Sequence, residues 1–124
     1  MQVTTTTTNS TKTGGFSMSD CITRCLDCMR SCEETATQRM KKSGDHASSE
    51  HVIMMQNCAE MCRTSALFMM RGSSYHNITC GACAAVCEAC AMSCEAMGDH
   101  EDMKRCAEMC RRCAASCRSM SMAD

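Results

Sequence analysis

Small and apolar residues return at every third or fourth position along most of this chain. In "CITRCLDCMRSC", residues 21–32, Cys21, Cys25, Cys28 and Cys32 are spaced four, three and four apart, and mostly polar residues fill the gaps. Cys106, Cys110, Cys113 and Cys117 repeat the spacing, and Cys80, Cys83, Cys87, Cys90 and Cys94 extend it. A further stripe runs His51, Met55, Cys58, Cys62, Ser65 and Met69. At 100° per residue each set lies on one helical face, the a/d seam that looks toward a bundle axis. Glycine-containing breaks at "SGD" (43–45), "RGSS" (71–74) and "MGDH" (97–100) each pair a helix stop with an Asp or Ser suited to the next N-cap. Ser17 and Asp20 make a capping-box pattern ahead of the first seam. The pattern predicts four helices, at about 18–42, 45–71, 75–97 and 99–121. Short connections make neighbours antiparallel, so the expected fold is all-α, an up-down-up-down four-helix bundle over residues 18–122 with a Cys-lined core.

Composition changes the picture of that core. Fifteen Cys and fifteen Met stand against two Phe, one Tyr and no Trp or Pro in 124 residues. Ile, Leu and Val together number eight. An ordinary interior draws on aliphatic and aromatic side chains; this one must be built from Cys, Met and Ala. One or two buried cysteines act as small hydrophobes. Fifteen on matched stripes give up packing volume that Leu would supply, at about 1 kcal/mol per missing methylene. Some chemistry of sulfur must offset that loss.

Outside the seams the chain says less. The opening "MQVTTTTTNSTKTGG" is polar and low in complexity, so residues 1–17 are expected to be a disordered Thr-rich tail. It lacks the basic start and apolar stretch of a secretory signal, as the mature form of an exported protein also would. The sequons at Asn9 and Asn77 have meaning only in a eukaryotic secretory setting. A formal net charge of −1 gives no nucleic-acid footprint and no electrostatic membrane anchor, and no apolar run reaches bilayer length. Segments such as "KKSGD" and "EMCRR" read as a solvated outer face, and "KRCAEMCRRC" offers a place to meet a neighbouring subunit.

Three chemistries use clustered thiols. Disulfides leave one of fifteen unpaired, and i, i+4 thiols on a regular helix have Cβ atoms about 5–6 Å apart, against about 3.8 Å in an unstrained bridge. Cross-helix bridges stay open, as in a disulfide-linked helical structural protein. Iron–sulfur clusters gather cysteines in a loop, whereas these are strung along helices and lack the ferredoxin run and its proline. Soft-metal binding fits best. Seven Cys-x-x-x-Cys pairs tile the chain (21/25, 28/32, 58/62, 83/87, 90/94, 106/110, 113/117), with Cys80 left over one turn ahead of Cys83. Thiolates one turn apart can clasp a two-coordinate Cu(I), and bridging brings capacity toward about one ion per Cys. Zn(II) is the rival and wants four ligands in a tetrahedron, so a zinc-buffering, metallothionein-like protein is the further alternative.

The methionines suggest how copper enters, because a thioether binds Cu(I) without losing a proton. Antiparallel helices bring Met40, His51, Met54, Met55, Met97 and Met103 to one mouth, with His46 and His100 in the adjoining connections. Of these, Met40, His51, Met54, Met55 and Met103 are the candidate entrance ligands. The other mouth gathers Met69, His76 and Met120; Met29, Met61, Met92 and Met109 are expected to plug the bundle.

The segments "CITRCLDCMRSC", "NCAEMC", "CGACAAVCEACAMSC" and "RCAEMCRRCAASCRSM" cover all four helices. Through them the chain resembles the bacterial copper storage proteins, the Cys-rich four-helix-bundle copper-binding family. The resemblance implies many Cu(I) ions held by the Cys-x-x-x-Cys thiolates, with Met40, His51, Met54, Met55 and Met103 placed at a Met- and His-lined open end. It also implies a homotetramer. Cytosolic and exported members exist; a cytoplasmic location is expected, with export as the alternative, since the second helix is Met-rich and has only two Cys. Such a protein would store or buffer Cu(I) and pass it to a copper-accepting enzyme. No catalytic constellation competes: four scattered His, no phosphate loop and no Cys with a basic partner.

Overall fold

The structure is a computed structural model that describes residues 16–43 and 49–122. Four α-helices follow in order: α1 (Met18–Ser43), α2 (Ser49–Met70), α3 (His76–Glu95) and α4 (Glu101–Met122). Each packs against its neighbours around the ring α1–α2–α3–α4, and α4 closes on α1. This is the all-α, up-down-up-down bundle. Of the tail expected at 1–17, residues 1–15 lie outside the described residues, as do the "SGD" connection beyond Ser43 and His46, while Phe16 and Ser17 are described and half-buried ahead of α1.

The helix ends show how local chemistry punctuates the bundle. At the start of α1, Ser17 Oγ accepts the Asp20 N–H at 3.0 Å, and the Ser17 N–H donates back to Asp20 Oδ2 at 3.4 Å. This reciprocal cap satisfies two otherwise orphaned donors. α2 stops at Gly72, whose φ of +65° favours glycine; the Ser73 N–H reaches Phe68 O and the Gly72 N–H reaches Met69 O, both at 3.0 Å. The two later N-caps differ from expectation. Tyr75, not a serine, stands before α3 and gives no side-chain cap. The His100 carbonyl, rather than a residue-99 cap, receives the first α4 bond from the Lys104 N–H, while Asp99 pairs with the Lys104 ammonium.

All fifteen cysteines are fully buried, and Ala36, Ala66, Ala84, Ala91, Met55 and Met103 fill the space between helices. α3 corrects one expectation: by length and composition it is apolar enough to cross a membrane. Its apolarity has two sources. Cys80, Cys83, Cys87, Cys90 and Cys94 face the core, and Ile78, Ala82, Ala85, Ala89 and Met92 form an exposed stripe on the opposite side. Met92, expected as a plug, is 62% exposed on that stripe, whereas Met29, Met61 and Met109 are half-buried.

Candidate metal centre

The seams converge into a column of sulfur along the bundle axis. Three quartets have all four Sγ atoms within 4.8 Å of one another: Cys25, Cys83, Cys113 and Cys117; Cys28, Cys62, Cys87 and Cys113; and Cys28, Cys32, Cys58 and Cys110. Cys113 joins the first quartet to the second, and Cys28 joins the second to the third. Cys21, Cys80 and Cys117 form a trio at one end. At the other end Cys106 lies 3.7 Å from Cys32 and meets Cys90 and Cys94. All fifteen thiols are free, and the recorded Sγ···Sγ contacts run from 3.5 Å (Cys25 to Cys117) to 4.0 Å, hydrogen-bond separations rather than the roughly 2.05 Å of a disulfide.

The pairs legible in the sequence are present, with Cys28 to Cys32 at 4.0 Å, Cys83 to Cys87 at 3.8 Å and Cys113 to Cys117 at 4.0 Å. Cross-helix contacts are no longer: Cys58 meets Cys87 at 3.6 Å, and Cys21 meets Cys117 at 3.6 Å. Each ion placed here therefore finds thiols from two or more helices. Sequence spacing did not reveal these quartets, because it carries no information about which turns of different helices share a level. Cys80, with no i+4 partner, is one such case; its neighbours are Cys21 and Cys117, and its thiol lies 3.3 Å from Ser65 Oγ.

His51, Met55 and Met103 are buried at the mouth beside Cys106, Met54 is half-buried, and Met40 is 43% exposed. The His51 ring ties three helices together: Nδ1 lies 2.6 Å from Ser93 Oγ on α3, and Nε2 lies 3.1 Å from Met103 Sδ on α4. Ser93 is a residue that the sequence reading missed. Its only signal was its place beside Cys94, on the flank of the seam. At the opposite end, Met69 and Met120 are buried, and half-buried His76 donates Nδ1–H to the Ser73 carbonyl at 2.9 Å.

Hydrogen bonds between neighbouring thiols shift them in opposite directions. Donors from Cys110, Cys113 and Cys32 hold Cys28 far below the ordinary thiol range, and donors led by Cys110 do the same to Cys58. Their partners are held up: Cys32 chiefly by Cys106, Cys62 by Cys113, and Cys110 by Cys106. Burial pushes every one of these thiols upward. At the trio, Cys117 lowers Cys80, but Cys21 and desolvation outweigh it and push Cys80 up to about 11. The first proton lost in the column is thus shared among neighbouring S–H donors, and a cation must displace the rest. Desolvation lowers the His51 pKa and so favours the neutral ring, one nitrogen of which can bind a soft ion when that ion displaces its present partner.

Comparisons agree with this geometry. The curated, uncharacterized cysteine-rich protein YhjQ of Bacillus subtilis (strain 168) is 35% identical over 66 residues, which cover 53% of this chain and 61% of that protein. The Cu(I)-bound copper storage protein BsCsp3 of Bacillus subtilis is 34% identical with a TM-score of 0.78, covering 83% of this chain and 96% of its own. A cytosolic copper storage protein from Streptomyces lividans, loaded with five coppers, is 28% identical with a TM-score of 0.79, covering 86% and 93%. Residues 16–122, all four helices, match the copper storage protein family, and this chain belongs to that family.

Proposed function

We propose that this protein stores and buffers Cu(I), holding about one ion per cysteine inside the bundle and releasing it to a copper-accepting enzyme. The observation that carries this reading is the complete burial of fifteen mutually contacting thiols. Charge then selects the ion. Fifteen thiolates with about fifteen monovalent ions make a neutral dry column that uses every sulfur, whereas a Zn(II) held by its own four thiolates carries a net charge of about −2 that this dry interior does not compensate. The quartets alone do not decide, because tetrahedral Zn–S bonds of about 2.3 Å imply S···S near 3.8 Å, which these sulfurs also match. Charge does.

Ions bound here are cargo, and the protein catalyses nothing. His51, Met54, Met55 and Met103, with Met40 outermost, receive copper at the mouth and pass it to Cys106, Cys94 and Cys90. A cytosolic location agrees with fifteen free thiols, which persist in a reducing compartment, and with the cytosolic Streptomyces lividans relative. Assembly as a homotetramer gives the exposed α3 stripe a partner: Ile78, Ala82, Ala85, Ala89 and Met92 are small or apolar, so two helices can approach closely there. Cu(I) titration against a chromophoric chelator tests the storage reading. Tight uptake near fifteen equivalents, undiminished by excess Zn(II), is expected; saturation near four, or displacement by Zn(II), defeats it.

A further inference from the structure

The column is not uniform, and its odd member is an oxygen. Ser65 occupies the next seam position after Cys58 and Cys62 and is fully buried. Its Oγ lies 3.3 Å from Cys80 Sγ, so it stands where a thiol from α2 would join the layer of Cys21, Cys80 and Cys117. The three interior layers each hold four sulfurs, and each shares a thiol with its neighbour; at the far end Cys90, Cys94 and Cys106 are also three, but there the soft donors His51 and Met103 stand beside them. The trio has three, sharing Cys117 with the first quartet and touching it again where Cys21 meets Cys25. A hydroxyl is a hard donor that is not ionised near neutral pH, so it neither replaces a soft thiolate nor balances a cation's charge. Met69 and Met120 are buried at this end but follow one turn farther along their helices, leaving the α2 corner of the layer to the hydroxyl.

We propose that Ser65 makes the Cys21–Cys80–Cys117 layer the weakest copper site of the column, the last to fill and the first to yield at equilibrium. Resting on the storage reading, this divides the cargo into a tightly held interior and one exchangeable position at the end opposite His51. The end layer buffers; the quartets store.

The test uses fully Cu(I)-loaded protein equilibrated with increasing bicinchoninate. Samples are then alkylated briefly under native conditions and mapped by mass spectrometry. In the parent, the first equivalent removed should unmask Cys21, Cys80 and Cys117. Ser65→Cys should add about one equivalent of capacity and tighten the weakest step about tenfold or more, because it supplies the missing thiolate. Ser65→Ala should leave the weak step in place, and circular dichroism shows whether both variants fold. First unmasking at Cys90, Cys94 and Cys106, or evenly along the chain, overturns the proposal. So does a folded Ser65→Cys protein with sixteen reactive thiols and an unchanged weakest step; this would leave storage intact. Failure to retain any Cu(I) overturns the storage reading as well.

Discussion

One helix stripe ends in different chemistry at its two extremities. Where α2 begins, the seam offers His51 and Met55, neutral soft donors that need no deprotonation. His51 is held there by Ser93 and Met103. Where α2 ends, the same seam offers Ser65 and then Met69. Between them, Cys58 and Cys62 enter quartets supplied by three or four helices. α1, α3 and α4 bring thiols to nearly every level, so α2 sets the difference between mouth, store and exchangeable end. A bundle whose other helices are almost uniform acquires direction from one.

The largest effect expected is copper loading itself. Ligand at about 100 times its Kd adds about 2.7 kcal/mol per site, so filling even one layer should raise Tm by roughly 10 °C or more. Differential scanning calorimetry of metal-free and loaded protein checks this; an unchanged Tm with binding confirmed would mean that copper sits outside the folded core. Next in size is the contrast between shared and terminal thiols. Cys28→Ser, which removes a ligand common to two quartets, should cost at least about two equivalents of Cu(I), against about one for Cys80→Ser. Equal losses would erase the distinction between interior and end.

At the mouth, replacing Met40, Met54, Met55 and Met103 by Leu should slow Cu(I) uptake in stopped-flow mixing while capacity stays nearly constant. Ser93→Ala, which frees the His51 ring to turn, should cost about 10–100-fold in affinity for the first ion bound there, with rescue by Ser93→Thr. Unaltered uptake in both would remove any special role from this end.

The smallest effect concerns acid. Burial lowers the His51 pKa, followed by smaller effects of Cys106 and Asp102, which raise it, and Arg39, which lowers it. The unfolded chain therefore binds a proton more readily, so the metal-free fold is at full strength above the ordinary value of 6.5 and weakens as pH falls below it. Thermal melts of the metal-free protein from pH 8 to pH 5 should show that slope, and His51→Gln should flatten it.

Much of this was legible before any coordinates. The 3-4 spacing of Cys21, Cys25, Cys28 and Cys32 fixes a helix face, and the absence of proline with glycine at the breaks fixes how many helices there are. Burial of every thiol follows, because the chain has little else to bury. Caps were less legible: Ser17 and Asp20 formed their box, but Tyr75 and His100 took positions for which their side chains have no cap preference. Met92 was misjudged by being grouped with Met29, Met61 and Met109, each of which adjoins a seam cysteine, whereas Met92 lies two positions from both Cys90 and Cys94, about 200° around the helix from each.

Sequence alone determined that sulfur would be the interior, since periodicity and composition act along a single helix and need no partner. Tertiary structure decided which sulfurs share a level: that Cys28 and Cys113 serve two quartets, that Cys80 meets Ser65, and that His51 spans to Ser93 and Met103. The physical reason is the axial offset between antiparallel helices. It comes from how their side chains interlock, and a shift of one turn would leave every seam intact while changing every cross-helix partner.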